Sequence, residues 1–393
     1  MNTLAELKNQ LELARSQQDF NSVLQLLLNL GRVAPSYDEA QVAFGEACQL
    51  AEQLGEVPSE AAARNGLGWL YTMRREPLAA HEQLQQSLVL YVSLGDRRAQ
   101  ATVLNNLATA ATALGNVDQA VQYLEKALVI AQEIDDSASE AAILNGLSQV
   151  LESRHEYDDA LQHLRRSLKL RQELGDRAGE MAVLNNIAGI YHAQGEHSLA
   201  IKYLQESLDL AQALEDDAAA AASYNNLAMV ANSGGQPEAA GEYLQQSLAL
   251  HRKLGHRAGE LAVLNHLGNL AQTQDDLSTA LSYLQQAAEL SHNLGDHKGE
   301  VAILHNLAHL QLQHQELENA IRTFEKALAL AIEMEDDEGI FSINYSLGAV
   351  LCSIGRHEQG VAKLSTAQEI GGKLAHRKLP EVQELLTRYR TGG

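Results

Sequence analysis

One asparagine recurs at a fixed interval through much of the 393-residue chain. Six such positions are Asn65, Asn105, Asn145, Asn185, Asn225 and Asn265, which define a 40-residue period. Small residues keep the same period at Ala40, Ala80, Ala120, Ala160, Ala200, Ala240, Ala280, Ala320 and Gly360. A fixed period of this length indicates one supersecondary unit that is repeated and stacked, because a single unit cannot bury its own apolar face.

The repeat predicts pairs of helices. Cutting the chain at residues 21, 61, 101, 141, 181, 221, 261, 301 and 341 gives nine units of equal length. Within unit 101–140, apolar residues recur at three- and four-residue steps before and after a short turn, which is the helical period. Between units, Gly95-Asp96, Gly175-Asp176 and Gly295-Asp296 are typical of a C-terminal glycine followed by an N-capping aspartate.

Both ends of the array predict capping helices. An amphipathic segment occupies residues 2–18, and a second occupies residues 379–390. A stack of repeats needs such helices to cover its terminal cores. The predicted organisation is therefore an N-terminal cap in residues 1–20, nine repeats in residues 21–380, and a C-terminal capping helix and tail in residues 379–393.

Composition favours helices and a cytoplasmic location. Aromatic residues make up only 4% of the chain, whereas hydrophobic residues make up 45%. The net charge of −22 should repel nucleic acid and anionic membrane surfaces. The N-terminus lacks the apolar core of a signal peptide, and no apolar stretch is long enough to span a membrane. Cys48 and Cys352 are too far apart in sequence to indicate a disulfide framework.

Unit 181–220 shows most clearly which family the repeat resembles. Its matching positions are Leu184, Ile187, Ala188, Tyr191, Ala200, Leu204 and Ser207. This pattern resembles the tetratricopeptide repeat, whose units have roughly 34 residues each. The 40-residue period here is longer, and Gly-Asp stands in place of the terminal proline.

The LNNLA segment is similar to the repeats of kinesin light chains and spindle-orientation adaptors, which are peptide-binding scaffolds. The resemblance implies an all-α, right-handed superhelical solenoid. It also implies that the first helix of each unit lines the concave groove of that solenoid.

The asparagines are expected to face this groove. At 100° per residue, Asn105, Asn106 and Thr109 lie opposite the apolar stripe of their helix. The predicted peptide-binding residues are Asn65, Trp69, Asn105, Asn106, Thr109, Asn145, Asn185, Asn186, Asn225, Asn226, Asn265, Asn269, His305 and His309. The amides could hold the backbone of an extended peptide, or form a structural ladder that bonds each unit to the next. Trp69 could anchor a ligand or pack beneath the first unit.

His305 and His309 stand four residues apart on one predicted helix, and His266 lies in the unit before. This spacing could hold zinc, but no carboxylate or cysteine accompanies it by motif. We therefore interpret these histidines as polar groove residues in place of asparagine, and we predict no metal and no cofactor. The sequence contains no phosphate-binding loop, nucleophile motif or paired catalytic carboxylates, so we predict that the protein is not an enzyme.

The prediction for function is a scaffold or adaptor that binds an extended peptide or a helix of a partner protein. Basic groove residues are nearly absent, with Arg32 the exception, which argues against an adaptor for acidic chaperone C-termini. A peptide- or ligand-sensing regulatory protein and a self-assembling scaffold remain alternatives. The expected partner is another protein or peptide, with no nucleic acid and no membrane, and self-association stays possible.

Overall fold

A computed structural model describes residues 4–391, and all regular secondary structure in this range is α-helical. The chain divides into two compact units, residues 1–196 and 197–393. The first contains α1 (Leu4–Ser16), α2 (Phe20–Val33), α3 (Tyr37–Leu54), α4 (Val57–Met73), α5 (Pro77–Leu94), α6 (Arg97–Ala113), α7 (Val117–Glu133), α8 (Ser137–Ser153), α9 (Tyr157–Leu174) and α10 (Arg177–Ala193). The second contains α11 (His197–Ala213), α12 (Asp217–Ser233), α13 (Pro237–Leu254), α14 (Arg257–Thr273), α15 (Leu277–Leu294), α16 (His297–Gln313), α17 (Leu317–Glu333), α18 (Asp337–Ser353), α19 (His357–Leu374) and α20 (Leu379–Thr391).

The helices follow one another in tandem, as the 40-residue period predicts. From α4 to α19 the helices are nearly equal in length. The all-α fold of repeated helices is therefore confirmed. The boundaries of the nine units and the capping role of the terminal helices stay predictions. Residues 2 and 3 of the predicted N-terminal helix, and residues 392 and 393 of the tail, lie outside the described residues.

Glycine and aspartate end one helix and begin the next, as predicted. Gly95 ends α5 with a left-handed φ of 68°, a conformation that costs glycine least because it has no Cβ. The Asp96 carboxylate then accepts a 3.0 Å hydrogen bond from the Ala99 amide at the start of α6. Gly175-Asp176 and Gly295-Asp296 form the same pair of caps.

The small-residue column lies where paired helices cross. Ala80 on α5 is fully buried, and a Cβ added to Gly68 on α4 would stand 3.3 Å from its carbonyl oxygen. The closest case joins α18 and α19, where a Cβ on Gly360 would stand 2.8 Å from the carbonyl oxygen of Gly348. The residues of this column have small side chains because the two helix backbones leave no room for larger ones.

Buried serines bond the second helix of a repeat to the first helix of the same repeat. The Ser87 hydroxyl on α5 donates a 2.8 Å hydrogen bond to the Ala61 carbonyl oxygen on α4. The same bond recurs from Ser167 to Ala141 at 2.8 Å and from Ser247 to Ala221 at 2.9 Å. In these three repeats the bond satisfies a buried hydroxyl, whereas the Ser207 hydroxyl at the same phase is buried without a partner among residues 4–391.

The terminal helices pack through apolar side chains. On α20, Val382 and Leu386 are buried in one cluster with Phe341 and Leu364. Leu347 and Leu351 on α18 belong to a larger cluster with earlier helices. At the other end, α1 buries Leu7, Leu11 and Ala14 against α2 and α3. No helix within residues 4–391 is long and apolar enough to cross a membrane.

Candidate functional site

The asparagine column lies at one edge of the first helix of each pair. On α6, Val103, Leu104 and Leu107 are buried in the core, whereas Asn105 is half-buried. Thr102 and Thr109 on the same helix are exposed. We call this side of the first helices the amide face. Asn65, Asn145, Asn185, Asn225 and Asn265 are half-buried at the equivalent position on α4, α8, α10, α12 and α14.

Two pairs of asparagines bond across successive repeats. The Asn106 Nδ2 donates a 3.0 Å hydrogen bond to the Asn65 Oδ1, and the Asn186 Nδ2 donates a 2.7 Å hydrogen bond to the Asn145 Oδ1. In each pair the donor lies 41 residues after the acceptor, so two neighbouring columns take part. The amide face therefore contains a structural ladder at these positions.

The ladder is interrupted at Asn105, Asn185 and Asn225, for which the described residues show no ladder bond, although Asn226 lies 41 residues after Asn185. Gly146 lies 41 residues after Asn105, at the position that the donor asparagine occupies in the bonded pairs. A Cβ added to Gly146 would lie 3.5 Å from the Asn105 Oδ1. His266 stands at the corresponding place after Asn225, and the Asn225 Oδ1 is buried without a hydrogen-bond partner in the described part of the chain. The Asn185 Oδ1 is buried in the same way, also without a partner among residues 4–391. A buried acceptor of this kind carries a desolvation cost.

Trp69 lines a recess in the first unit. The recess has a volume of 430 Å³, and its lining comprises Gly31, Arg32, Phe44, Ala62, Asn65, Gly66, Trp69, Tyr91, Thr102 and Asn106. A Cβ at either Gly31 or Gly66 would stand 2.6 Å from the Phe44 ring, so the two glycines make room for that ring. Trp69 is 47% exposed. Its ring is thus available at the surface beside Asn65 and Asn106.

A second recess lies on the amide face of the second unit, between α12, α13 and α14. Its volume is 350 Å³, and it is lined by Asn225, Asn226, Ala228, Met229, Asn232, Ser233, Ala240, Leu244, His266, Asn269, Leu270 and Thr273. It brings together the predicted residues Asn225, Asn226 and Asn269. Sequence reasoning missed Met229 and Asn232, although Met229 shares the repeat phase of Trp69, which was the signal that could have found it.

The two histidines of α16 converge on one hydroxyl. His305 Nε2 lies 3.1 Å and His309 Nε2 lies 3.2 Å from the Ser346 Oγ on α18. Both rings pack edge-on against Phe324. Burial, with repulsion from His309 and Lys378, lowers the pKa of His305 to about 4, and burial likewise lowers the pKa of His309.

Zinc binding by these histidines finds no support in the geometry. His266, the third histidine of the zinc alternative, lines the recess on α12 and α14. Within residues 4–391 no three histidine, cysteine, aspartate or glutamate side chains are grouped so that they could hold a metal ion. The His305–Ser346 contact instead joins residues 41 positions apart, as the asparagine ladder does.

The remaining predicted residues are spread over the amide face. Thr109 is exposed, and its hydroxyl donates a 3.3 Å hydrogen bond to the Asn105 carbonyl oxygen. Asn226 is half-buried and Asn269 is exposed at the second recess. Asn265 is half-buried on α14 and does not line that recess.

Comparison with known proteins identifies the repeat. The family model named tetratricopeptide repeat matches residues 99–173, 179–253 and 259–333. The chain belongs to the tetratricopeptide repeat family. The predicted resemblance is thereby confirmed. No sequence among curated proteins matches the chain.

Solved structures share the fold at low sequence identity. The STAND protein with a tetratricopeptide repeat sensor from Pyrococcus horikoshii has a TM-score of 0.61 at 19% identity, covering 85% of this chain and 51% of that chain. BtubC (BKLC) from P. vanneervenii has a TM-score of 0.51 at 18% identity, covering 56% of this chain and 92% of that chain. A putative kinesin light chain with nearly identical TPR-like repeats from Podosopora anserina has a TM-score of 0.45 at 22% identity, covering 50% of this chain and 97% of that chain.

The tetratricopeptide solenoid is generally a non-enzymatic interaction scaffold. Its architecture suits that role because stacked helix pairs expose long continuous surfaces, to which each repeat contributes the same few side chains. On the amide face of this chain, an asparagine recurs at six successive positions from Asn65 to Asn265.

Proposed function

We propose that the chain is a non-enzymatic adaptor that binds an extended peptide, or a helix of a partner protein, along its amide face. The observation that carries this proposal is the column of half-buried asparagines at one phase of successive first helices. Asparagine is disfavoured inside helices by up to about 0.7 kcal/mol relative to alanine. Its repeated use therefore favours a role for the amide itself.

The ladder bonds leave capacity for a ligand. An amide group has two N–H donors and an oxygen with two lone pairs. The bond between Asn106 and Asn65 uses one donor of the first and one lone pair of the second. The bonded amides are held in one orientation, which lowers the entropy lost when a ligand binds to them. The structural and ligand-binding roles are thus compatible on the same face.

Small exposed residues beside the asparagines favour close approach by a peptide backbone. Ala142, Ala182, Ala222, Ala262 and Ala302 are exposed, three residues before the asparagine column or its equivalent. Alanine leaves no long side chain that would hold a peptide backbone away from the amides. We therefore favour recognition by main-chain hydrogen bonds, with apolar contacts adding side-chain preference.

The proposal is tested with the full-length chain on an array of short random-sequence peptides, and the binders are then measured by calorimetry. The triple variant Asn145→Ala, Asn185→Ala, Asn225→Ala should weaken binding tenfold or more, because each lost hydrogen bond costs about 0.5–1.5 kcal/mol. The control is Gln205→Ala, Gln245→Ala, Gln285→Ala, which removes exposed amides from one phase of the second helices. Equal affinities for the two triple variants would contradict the proposal.

Salt dependence separates neutral recognition from charge attraction. If the amides bind the peptide, its affinity should change little between low and high salt. A basic partner attracted by the net charge of −22 would lose affinity steeply as salt rises. A steep loss of affinity with rising salt would therefore show that the peptide binds outside the amide face.

A second candidate is a sensor that responds to a bound peptide or small ligand. The repeat region of the Pyrococcus horikoshii relative is described as a sensor, and that relative shares the fold over 85% of this chain. A sensor would bind its ligand on the same amide face, and binding would change the conformation of helices remote from the ligand. Hydrogen exchange with a bound array peptide would favour this candidate if protection also rose in helices remote from the peptide. Light scattering over a range of protein concentrations tests self-assembly.

A further inference from the structure

The recess on α12, α13 and α14 contains an asparagine amide that forms no ladder bond. The Asn225 Oδ1 has no hydrogen-bond partner in the described part of the chain, and Asn225 lines the recess of 350 Å³. At two of the four equivalent positions in the first unit, Asn65 and Asn145 each accept a hydrogen bond from the following repeat. Asn225 thus shares with Asn185 a buried amide oxygen without a partner among residues 4–391, and of these two residues Asn225 lines the recess.

The residue 41 positions after Asn225 is not an asparagine. Asn106 and Asn186 supply the donor in the bonded pairs, whereas His266 occupies the corresponding place after Asn225. His266 is exposed and lines the recess instead of bonding to the Asn225 oxygen. The Asn225 amide is therefore unrestrained by the ladder.

An unrestrained amide can turn toward a ligand. The Asn225 oxygen is shielded from water in its present orientation. Rotation about the Cβ–Cγ bond exchanges the positions of the oxygen and the nitrogen, and this torsion is broad and roughly two-fold. Turning breaks no hydrogen bond that holds the Asn225 side chain to another described residue. A peptide main chain could then receive a donor and an acceptor from this one amide.

The floor of the recess is apolar. Ala228, Ala240, Leu244 and Leu270 line it and are all buried. Ala240 belongs to the small-residue column at the helix crossing. Because its side chain is small, it also leaves space at the floor of the recess. Apolar surface buried by a ligand here contributes favourably in proportion to its area.

The wall of the recess is neutral and adaptable. The described residues that line it include no aspartate, glutamate, lysine or arginine. Charged ligand groups would therefore lose water without gaining a partner. Met229 is 54% exposed, and its flexible thioether side chain can adjust to ligands of different shape.

We propose that this recess is the anchor subsite of the peptide-binding face: it takes one large apolar side chain of an extended peptide, while Asn225 binds the main chain at that residue. The inference rests on the proposed function and deepens it by naming the class of side chain that is recognised. The two recognition elements act on the same ligand residue because Asn225 and the apolar floor line one recess.

The test uses acetylated, C-terminally amidated random-sequence peptides on an array, probed with the full-length chain. Peptides that bind should share a large apolar residue at one position. Asn269→Trp should abolish that preference by filling the recess. Tryptophan is compatible with this place on a first helix, because Trp69 occupies the equivalent position of an earlier repeat. Gln285→Trp, at an exposed position on α15, is the matched control and should keep the preference.

A second variant tests the amide. Asn225→Ala should weaken binding of the selected peptides about twofold to tenfold, as expected for one lost main-chain hydrogen bond. It should not lower the melting temperature, because the folded protein loses no internal bond. A lower melting temperature with unchanged affinity would overturn the role of Asn225 and assign that residue to the fold.

The outcomes separate this inference from the proposed function. Peptide binding without an apolar preference, or a preference that survives Asn269→Trp, overturns the anchor subsite and leaves the peptide-binding face intact. Failure of the full-length chain to bind any array peptide overturns both. An apolar preference lost in Asn269→Trp and kept in Gln285→Trp supports both.

Discussion

The Asn186 Nδ2 donates a 2.7 Å hydrogen bond to the Asn145 Oδ1, one repeat earlier in the chain. This bond joins α10 to α8, so it contributes to the stacking of first helices as well as to the orientation of both amides. Because the donor and the acceptor are half-buried, removing either one leaves the other with an unsatisfied polar group.

A double-mutant cycle should detect this bond. We expect Asn145→Ala, Asn186→Ala and the double variant to give a coupling energy of about 0.5–1.5 kcal/mol in urea unfolding. The cycle is needed because alanine also raises helix propensity at each site. The same cycle on Asn225 and Asn226, between which the structure gives no hydrogen bond among the described residues, is the control. Additive effects at Asn145 and Asn186 would show that the bond does not contribute to stability.

The small-residue column should not tolerate a large side chain. Ala200 on α11 is fully buried, and Ala200→Leu should lower the free energy of unfolding by roughly 1–3 kcal/mol through overpacking. Ala249→Leu, at an exposed position on α13, is the control and should change stability little. Equal unfolding midpoints for the two variants would mean that position 200 does not lie at a tight helix crossing.

Removal of residues 379–393 should uncover apolar surface under α20. Val382 and Leu386 pack in one cluster with Phe341 and Leu364, so their loss exposes the side chains of α18 and α19 to water. We expect reduced hydrogen-exchange protection in residues 341–370 and lower solubility. Gln383→Ala changes an exposed residue of α20 and should leave protection as it is. Unchanged protection in the shortened chain would contradict the capping role.

Stability should fall as the pH falls through the range in which histidine titrates. Burial and the neighbouring cations lower the pKa of His305 to about 4, whereas an unfolded chain titrates near about 6.5. The unfolded state therefore binds more protons between these values, so the free energy of unfolding decreases as pH falls and levels off below about 4. For His305 alone the loss between about pH 7.5 and pH 5 is about 2 kcal/mol.

His305→Asn checks this assignment by urea unfolding at both pH values. Asparagine is the residue found at this repeat phase from Asn65 to Asn265, so the variant should fold with a smaller dependence of stability on pH. His297→Asn changes an exposed histidine of the same helix and serves as the control. An identical pH dependence in both variants would show that His305 does not carry the effect.

Much of the fold follows from the repeat period. The Gly95-Asp96 turn and the buried Ala80 column were predictable because each depends on local backbone conformation or on the packing of one helix pair. The division of the chain at residue 196 was not predictable. The boundary lies between α10 and α11, where the sequence shows no break in the 40-residue repeat.

The bonding of the asparagines was not predictable from the sequence. The helical period predicts Asn105 and Asn106 opposite the apolar stripe of their helix, whereas the structure has both half-buried at the edge of the core. The partner of each asparagine depends on the rotation between successive repeats, which brings the residue at 41 positions, not 40, into range. For the same reason the sequence does not show which amide oxygens lack a partner: among residues 4–391 the oxygens of Asn185 and Asn225 both do, although an asparagine follows the first at 41 positions and a histidine follows the second.

The ladder bonds have a consequence for how such a chain changes in length. Each bond joins one repeat only to the repeat that follows it, through two residues 41 positions apart. Insertion or loss of a whole 40-residue block therefore keeps, on either side of the join, the 41-residue spacing at which the amides bond. The number of stacked asparagine positions can thus grow or shrink in whole steps during evolution, with duplication of existing units as the raw material.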